Sequence, residues 1–170
     1  MSGLSRINNR FPPDTEQRLT VAAKAGATVG WTVNTTADTS FQLLPASQNN
    51  STLILPLNRI LDVGDLLLGY QLIGDITSGG NTVTLDCTLY EQKFASSGQT
   101  TAAVPGSVMT QISKTAATLL TSSNALVTIP DFQRYTVQAD RSLFALVKGT
   151  TGSGATIEFG GIVLLVKALQ

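Results

Sequence analysis

Apolar and polar positions alternate with a period of two along most of this chain, the spacing of strands with one buried and one wet face. The pattern starts at Leu19, where Leu19, Val21 and Ala23 alternate with Thr20 and Ala22, and Lys24-Ala25-Gly26 interrupts it. Val29, Trp31 and Val33 alternate with Gly30, Thr32 and Asn34. That spacing points Trp31 into the core, with a sugar-stacking platform as its alternative use. Phe41-Gln42-Leu43 and Leu53-Ile54-Leu55 are short apolar pieces bounded by breakers, Pro45 and Pro56 among them.

A longer strand is expected over 66–76, after a turn at Asp62-Val63-Gly64-Asp65. Ser78-Gly79-Gly80-Asn81 reads as the hairpin loop that follows it. The cleanest alternation comes next: Val83, Leu85, Cys87 and Leu89 face one way, Thr84, Asp86, Thr88 and Tyr90 the other. Residues 95–107 form a low-complexity link, either a long loop at one end of a sandwich or a mobile connection. Val108, Ile112 and Leu119 fit one face of a short helix, but the Ser and Thr content of the stretch opposes it. Strands resume at Leu126-Val127-Thr128-Ile129, at Tyr135-Thr136-Val137 and over 143–147. The 149–154 stretch reads as a hairpin tip, and Gly160-Gly161 as a bulge within the last strand.

Eight to ten short strands with no repeating strand–helix unit imply an all-β, antiparallel β-sandwich. A jelly-roll-like arrangement is the first choice. An immunoglobulin-type sandwich is second, since its paired cysteines are missing. The domain is expected over 19–170, preceded by an extended N-terminal arm over 1–18. In the arm Pro12-Pro13 enforces extended backbone, and Arg6, Arg10 and Arg18 outnumber Asp14 and Glu16 by one charge. The arm is either a disordered terminus or a tie that orders against a neighbouring subunit. In the second case Arg6, Arg10 and Phe11 are the candidate partner-binding residues.

Composition narrows the function. Charged residues make up 13% of the 170, about half the usual share, and eleven basic residues balance eleven acidic ones. A nucleic-acid binder ordinarily shows a basic face, so nucleic acid is not an expected partner. No apolar run approaches the ~18 residues of a membrane span, and no signal-peptide pattern opens the chain. A soluble protein made in the cytoplasm is expected. There is no histidine, which removes the commonest general base and metal ligand.

The remaining chemistry is thin. Cys87 has no second cysteine to pair with and lies on an apolar strand face, where burial is its ordinary role. No glycine-rich loop leads into Lys-Ser or Lys-Thr, so no nucleotide phosphate cradle is present. Asp62, Asp65 and Asp75 come closest to a carboxylate cluster, but at strand ends they read as turn formers rather than calcium ligands. Glu91 and Asp86 fall on opposite faces of one strand, so they cannot form the acid pair of a glycosidase; pairs from different strands stay open. Tyr70, Tyr90 and Tyr135 could join Trp31 in a glycan platform only if the fold collects them. No catalytic residue, metal site or cofactor is expected.

An apolar strand over 64–76 opens with a Gly64-Asp65 turn and leads to a hairpin, a Thr-rich strand follows over 83–90, and a Gly-rich final hairpin precedes an apolar C-terminal strand within 143–168. In these parts the chain resembles the head decoration (cement) proteins of tailed bacteriophages. Richness in Ala, Thr, Gly and Ser, few charges and the arm add to the resemblance. It implies a jelly-roll or related β-fold on the capsid exterior, where such proteins bridge neighbouring capsomers. The implied partners are the major capsid protein and further copies of the chain, as a dimer or trimer. The alternatives are a tail- or fibre-associated protein that binds a host receptor glycan, and a carbohydrate-active enzyme built on a jelly roll.

Overall fold

A computed structural model describes residues 16–23, 26–33, 41–58, 60–95 and 98–168. The arm candidates Arg6, Arg10 and Phe11 lie outside the described residues. Fourteen strands are described. The first five are β1 (Glu16–Ala22), β2 (Ala27–Val29), β3 (Thr32–Val33), β4 (Gln42–Leu44) and β5 (Ser51–Pro56). Two long strands follow, β6 (Leu66–Thr77) and β7 (Val83–Ala95), then β8 (Gly98–Ala103), β9 (Ile112–Lys114), β10 (Thr118–Leu120) and β11 (Leu126–Thr128). A 3-10 turn at Asp131–Gln133 precedes β12 (Tyr135–Thr136), β13 (Arg141–Thr150) and β14 (Thr156–Lys167).

The strands form two antiparallel sheets. In the first, β14 lies between β6 and the successive strands β1 and β4; β10, β11 and β12 line the far side of β6, and β3 extends β4. The second runs β2-β5-β13-β7, with β8 and β9 sharing the outer side of β7. Consecutive long strands alternate between sheets: β5 and β7 belong to the second, β6 and β14 to the first. The orders β1–β14–β6 and β5–β13–β7, wrapped around one core, make the sandwich a jelly roll.

Burial follows the period-two pattern. Leu53 and Leu55 on β5, Leu72 and Ile76 on β6, and Val83, Leu85, Cys87 and Leu89 on β7 point inward and are fully buried. From the other two long strands come Ala145, Val147, Ile157, Phe159 and Leu164. At about 25 cal/mol per Å² of apolar surface removed from water, this continuous cluster is the dominant stabilising term.

Several expectations are corrected. The stretches at 78–82 and 151–155 are not hairpins; each carries the chain from one sheet to the other, because β6 pairs with β14 and β7 with β13. A Gly- and Ser-rich turn reverses the chain without dictating which sheet receives the next strand. The low-complexity link contains β8, hydrogen-bonded to β7 from Tyr90↔Ala103 to Ala95↔Gly98. The short helix over 108–119, which the Ser and Thr content of that stretch opposed, does not form; β9 and β10 lie there instead. The first sheet begins three residues inside the expected arm, with Glu16, Gln17 and Arg18 opposite Lys167, Val166 and Leu165. Trp31 is core, 4% exposed, but Val29 and Val33 are not. The three do not share a strand, since the chain leaves β2 at Gly30 before β3 begins.

The bulge at Gly160-Gly161 is present: the register of β14 against β6 slips between Phe159 and Gly161. Gly161 has φ +142°, and a Cβ there would stand 2.1 Å from the carbonyl oxygen of Val21. This position requires glycine both for its backbone and for the close approach of β1.

Candidate interaction surface

On one flank of the sandwich the two sheets part and leave a groove. One wall is segment 104–110, which continues from β8 alongside β7. The Val104 N–H donates to the Leu89 carbonyl at 2.9 Å, and the Met109 N–H to the Cys87 carbonyl at 2.9 Å. Between them the buried Ser107 hydroxyl stands in for a missing strand residue. Its Oγ accepts from the Leu89 N–H at 3.2 Å and donates to the Val104 carbonyl at 2.7 Å. Tyr70 reaches across the core from β6, its hydroxyl 2.7 Å from the Cys87 carbonyl oxygen and 2.8 Å from that of Ser107. Burial raises the Tyr70 phenol well above its ordinary pKa, so it stays a neutral donor.

The facing wall is β11 with Pro130 and Gln133 beyond it. Asn124 shapes the turn into β11: its Oδ1 accepts from the Thr121 N–H at 2.8 Å and its Nδ2 donates to the Leu119 carbonyl at 2.9 Å. The walls meet at Gly106, which has φ +69°; a Cβ there would lie 2.6 Å from Gln133 Oε1 and 2.9 Å from Pro130 Cδ. The groove between them has a volume of about 310 Å³, and none of its lining residues is charged.

Apolar side chains stand in solvent along this flank. Val108 is 65% exposed because its neighbours Ser107 and Met109 take the inward positions. Phe132, in the 3-10 turn between Pro130 and Gln133, is 85% exposed. Leu126, in the facing wall, is exposed as well. Scattered exposed apolar residues are ordinary, but their grouping on a flank with an uncharged groove makes this flank the candidate contact surface.

The residues singled out for chemistry are not gathered into a site. Trp31 packs edge-on against Phe159 at 6.0 Å in the core. Tyr70 and Tyr135 are buried, and Tyr90 stacks on Phe144 at 5.5 Å on the outer face of the second sheet. The glycan platform imagined from Trp31 and the three tyrosines is therefore not assembled. Burial pushes the Cys87 thiol up to about 12, which leaves it protonated at neutral pH and a poor nucleophile.

The carboxylates take structural places. Asp65 accepts from the Asp62 N–H at 2.8 Å and returns its own N–H to the Asp62 carbonyl at 3.1 Å, closing the expected turn. Asp75 stands directly opposite Glu158 in the register of β6 and β14, on the outer face of the first sheet rather than in a cleft. Glu91 pairs with Arg141, both side chains mostly buried at one end of the sandwich. Burial, followed by the neighbouring Glu91, raises the pKa of Tyr135 there. Among the described residues, no three His, Cys, Asp or Glu stand close enough to hold a metal ion. No helix among them is long and apolar enough to cross a membrane.

The groove was missed by sequence reasoning because segment 104–110 carries no strand signal and nothing local shows that it meets β11 across the flank. Its one local signal is Phe132, a large apolar residue between Pro130 and Arg134 in a polar turn.

No family model matches the chain, and no curated protein matches it in sequence. Among solved structures it is similar to the Clostridium thermocellum endo-1,4-beta-D-xylanase 10B, CBM22-1 and GH10 modules with xylohexaose, at 12% identity and a TM-score of 0.47; the match covers 92% of this chain and 29% of that one. It is also similar to a chain in the structure of infectious bursal disease virus, Gx strain, at 13% identity and a TM-score of 0.46, over 95% of this chain and 36% of the other. The chain thus spans well under half the length of either, and neither likeness bears on its function.

Proposed function

We propose that this chain is a non-enzymatic virion structural protein that decorates a phage capsid from outside and stabilises it by bridging neighbouring capsid subunits. The observation that carries the reading is the flank groove, uncharged throughout and lined by Val108, Pro130 and Gln133, with the almost fully exposed Phe132 in the turn between the last two. Its occupant in this reading is an uncharged, apolar loop of the major capsid protein, since a charged segment would be desolvated there without a partner. Exposed aromatic anchors beside a preformed pocket dominate the binding energy of many interfaces. The hydrogen bonds of Ser107 and Tyr70 hold one wall in place before binding, which lowers the ordering cost. Weak contacts of this kind add up when repeated over a symmetric shell.

The test is re-decoration. Capsids assembled without the protein are mixed with purified wild type, Val108→Asp or Phe132→Asp, and bound copies are counted. Wild type is expected to saturate at a simple ratio to the major shell protein, and both variants to bind at least tenfold more weakly with unchanged circular dichroism. Equal binding by all three would discard the groove, and failure of wild type to bind would discard decoration.

A second reading, a tail- or fibre-associated protein that binds a host glycan, draws on the Tyr90–Phe144 stack. This aromatic pair lies half-buried on the outer face of the second sheet. Its test is a glycan array with wild type and Tyr90→Ala; hits lost in the variant would favour it over decoration.

A further inference from the structure

Strand β8 is built for a partner strand. Its six residues, Gly-Gln-Thr-Thr-Ala-Ala, are exposed on both faces, and among the described residues it pairs with β7 alone. It forms a ribbon with the end of β7, whose residues Tyr90 to Lys93 are held on their other side by β13, so β8 is an edge strand of the second sheet. Proteins usually guard such an edge with charge, proline, a bulge or brevity. The other outlying strands of this fold show those devices: β2, β3 and β9 to β12 have two or three residues each, and β1 carries Glu16 and Arg18. β8 has none of them. The nearest charge across the ribbon, Lys93 opposite Thr100, is paired with Asp140 at 3.3 Å.

We infer that β8 is a self-association edge, pairing antiparallel with β8 of a second copy about a twofold axis that passes between the two copies of Thr101. In this register Thr101 faces the second copy's Thr101, Thr100 its Ala102 and Gln99 its Ala103. Every pair is small or uncharged, and the Thr–Thr pair is a favourable one in antiparallel strands. A twofold contact requires a self-complementary patch, and an uncharged strand meets itself without like-charge repulsion. The second sheets of the two copies then join into one sheet of ten main strands, five from each copy. This inference does not depend on the capsid reading; a free dimer would show it equally well.

The experiment is sedimentation of the full chain over a wide concentration range, with two double variants, Thr100→Lys/Thr101→Lys and Thr100→Glu/Thr101→Glu. Both positions are exposed, so the fold is expected to survive, and far-ultraviolet circular dichroism checks it. Wild type is expected to dimerise, each double variant to be monomeric, and an equimolar mixture of the two to recover a dimer by opposite-charge pairing. A wild type that stays monomeric overturns the inference, and so does a lysine variant that still dimerises. A mixture that fails to associate also overturns it.

Discussion

The hydroxyl of Tyr70, carried by the first sheet, stands 2.8 Å from the carbonyl oxygen of Ser107 at the margin of the second. One buried hydrogen bond thus ties the core of the sandwich to the wall of the flank groove. Tyr70→Phe keeps the ring and removes only the proton shared by the two carbonyls. The Cys87 carbonyl still accepts from Met109, whereas the Ser107 carbonyl loses its partner. A loss of about 1–2 kcal/mol is expected from the urea midpoint, together with weaker capsid binding although Tyr70 does not touch the groove surface.

Ser107→Ala should cost about 1–3 kcal/mol, since it strands the buried Leu89 N–H. Combined with Tyr70→Phe, the two losses are expected to fall short of their sum, because both loosen the same segment. A double-mutant cycle measures the coupling, expected at about 0.5 kcal/mol or more.

Alkali should destabilise the fold early. The Cys87 thiol moves from an ordinary 9.0 up to about 12 on folding. Its neutral form favours the folded state, so this stability is intact below pH 9. Above that the unfolded thiol ionises first, and stability is lost as pH rises toward 12. The expected slope is up to about 1.4 kcal/mol per pH unit. Tyr70 and Tyr135, raised in the same direction, add to the loss above pH 10. Urea titrations between pH 8 and 11 on wild type and Cys87→Ala test it: the variant should lose the part of the slope that begins near pH 9.

The Glu91–Arg141 pair is mostly buried, with side chains 16% and 23% exposed. Glu91→Leu alone leaves the guanidinium with only the more exposed Asp140, 3.7 Å from its Nε, as counter-charge, and should cost about 2 kcal/mol. Glu91→Leu with Arg141→Met removes both charges and is expected to recover most of that loss. Thermal unfolding of the two variants against wild type distinguishes these outcomes.

Gly161→Ala should destabilise by about 3 kcal/mol, because a side chain there meets both an unfavourable φ and the backbone of β1. Hydrogen exchange should show β1 losing protection before the rest of its sheet.

The fold class was legible because a buried strand face leaves a period-two record. Val83, Leu85, Cys87 and Leu89 are all fully buried as the alternation requires, and the break at Gly160-Gly161 is a bulge. Sheet membership was not legible. The links at 78–82 and 151–155 have the composition of hairpin loops, and only the pairings of β6 with β14 and β7 with β13 reveal that they cross between sheets. Strand β8 left no apolar signature because neither of its faces is covered. Val29 and Val33 misled because they continue the spacing of Trp31 while lying on different strands in solvent. The groove depends on Gly106 and Pro130 meeting across the flank, a proximity that no local pattern encodes.

The pairing of β1 with β14 sets a condition on how the molecule comes into being. Glu16 lies beside Lys167, so the first and last described strands are direct neighbours. Topologies dominated by such distant pairings fold slowly, because long loops must close before any contact rewards them. During synthesis β1 waits for a partner that leaves the ribosome last of all the described strands. β6 likewise lacks one of its neighbours until then. Copies should therefore mature only after translation of β14 is complete, and fragments cut short before it should be cleared rather than compete for places in an assembly.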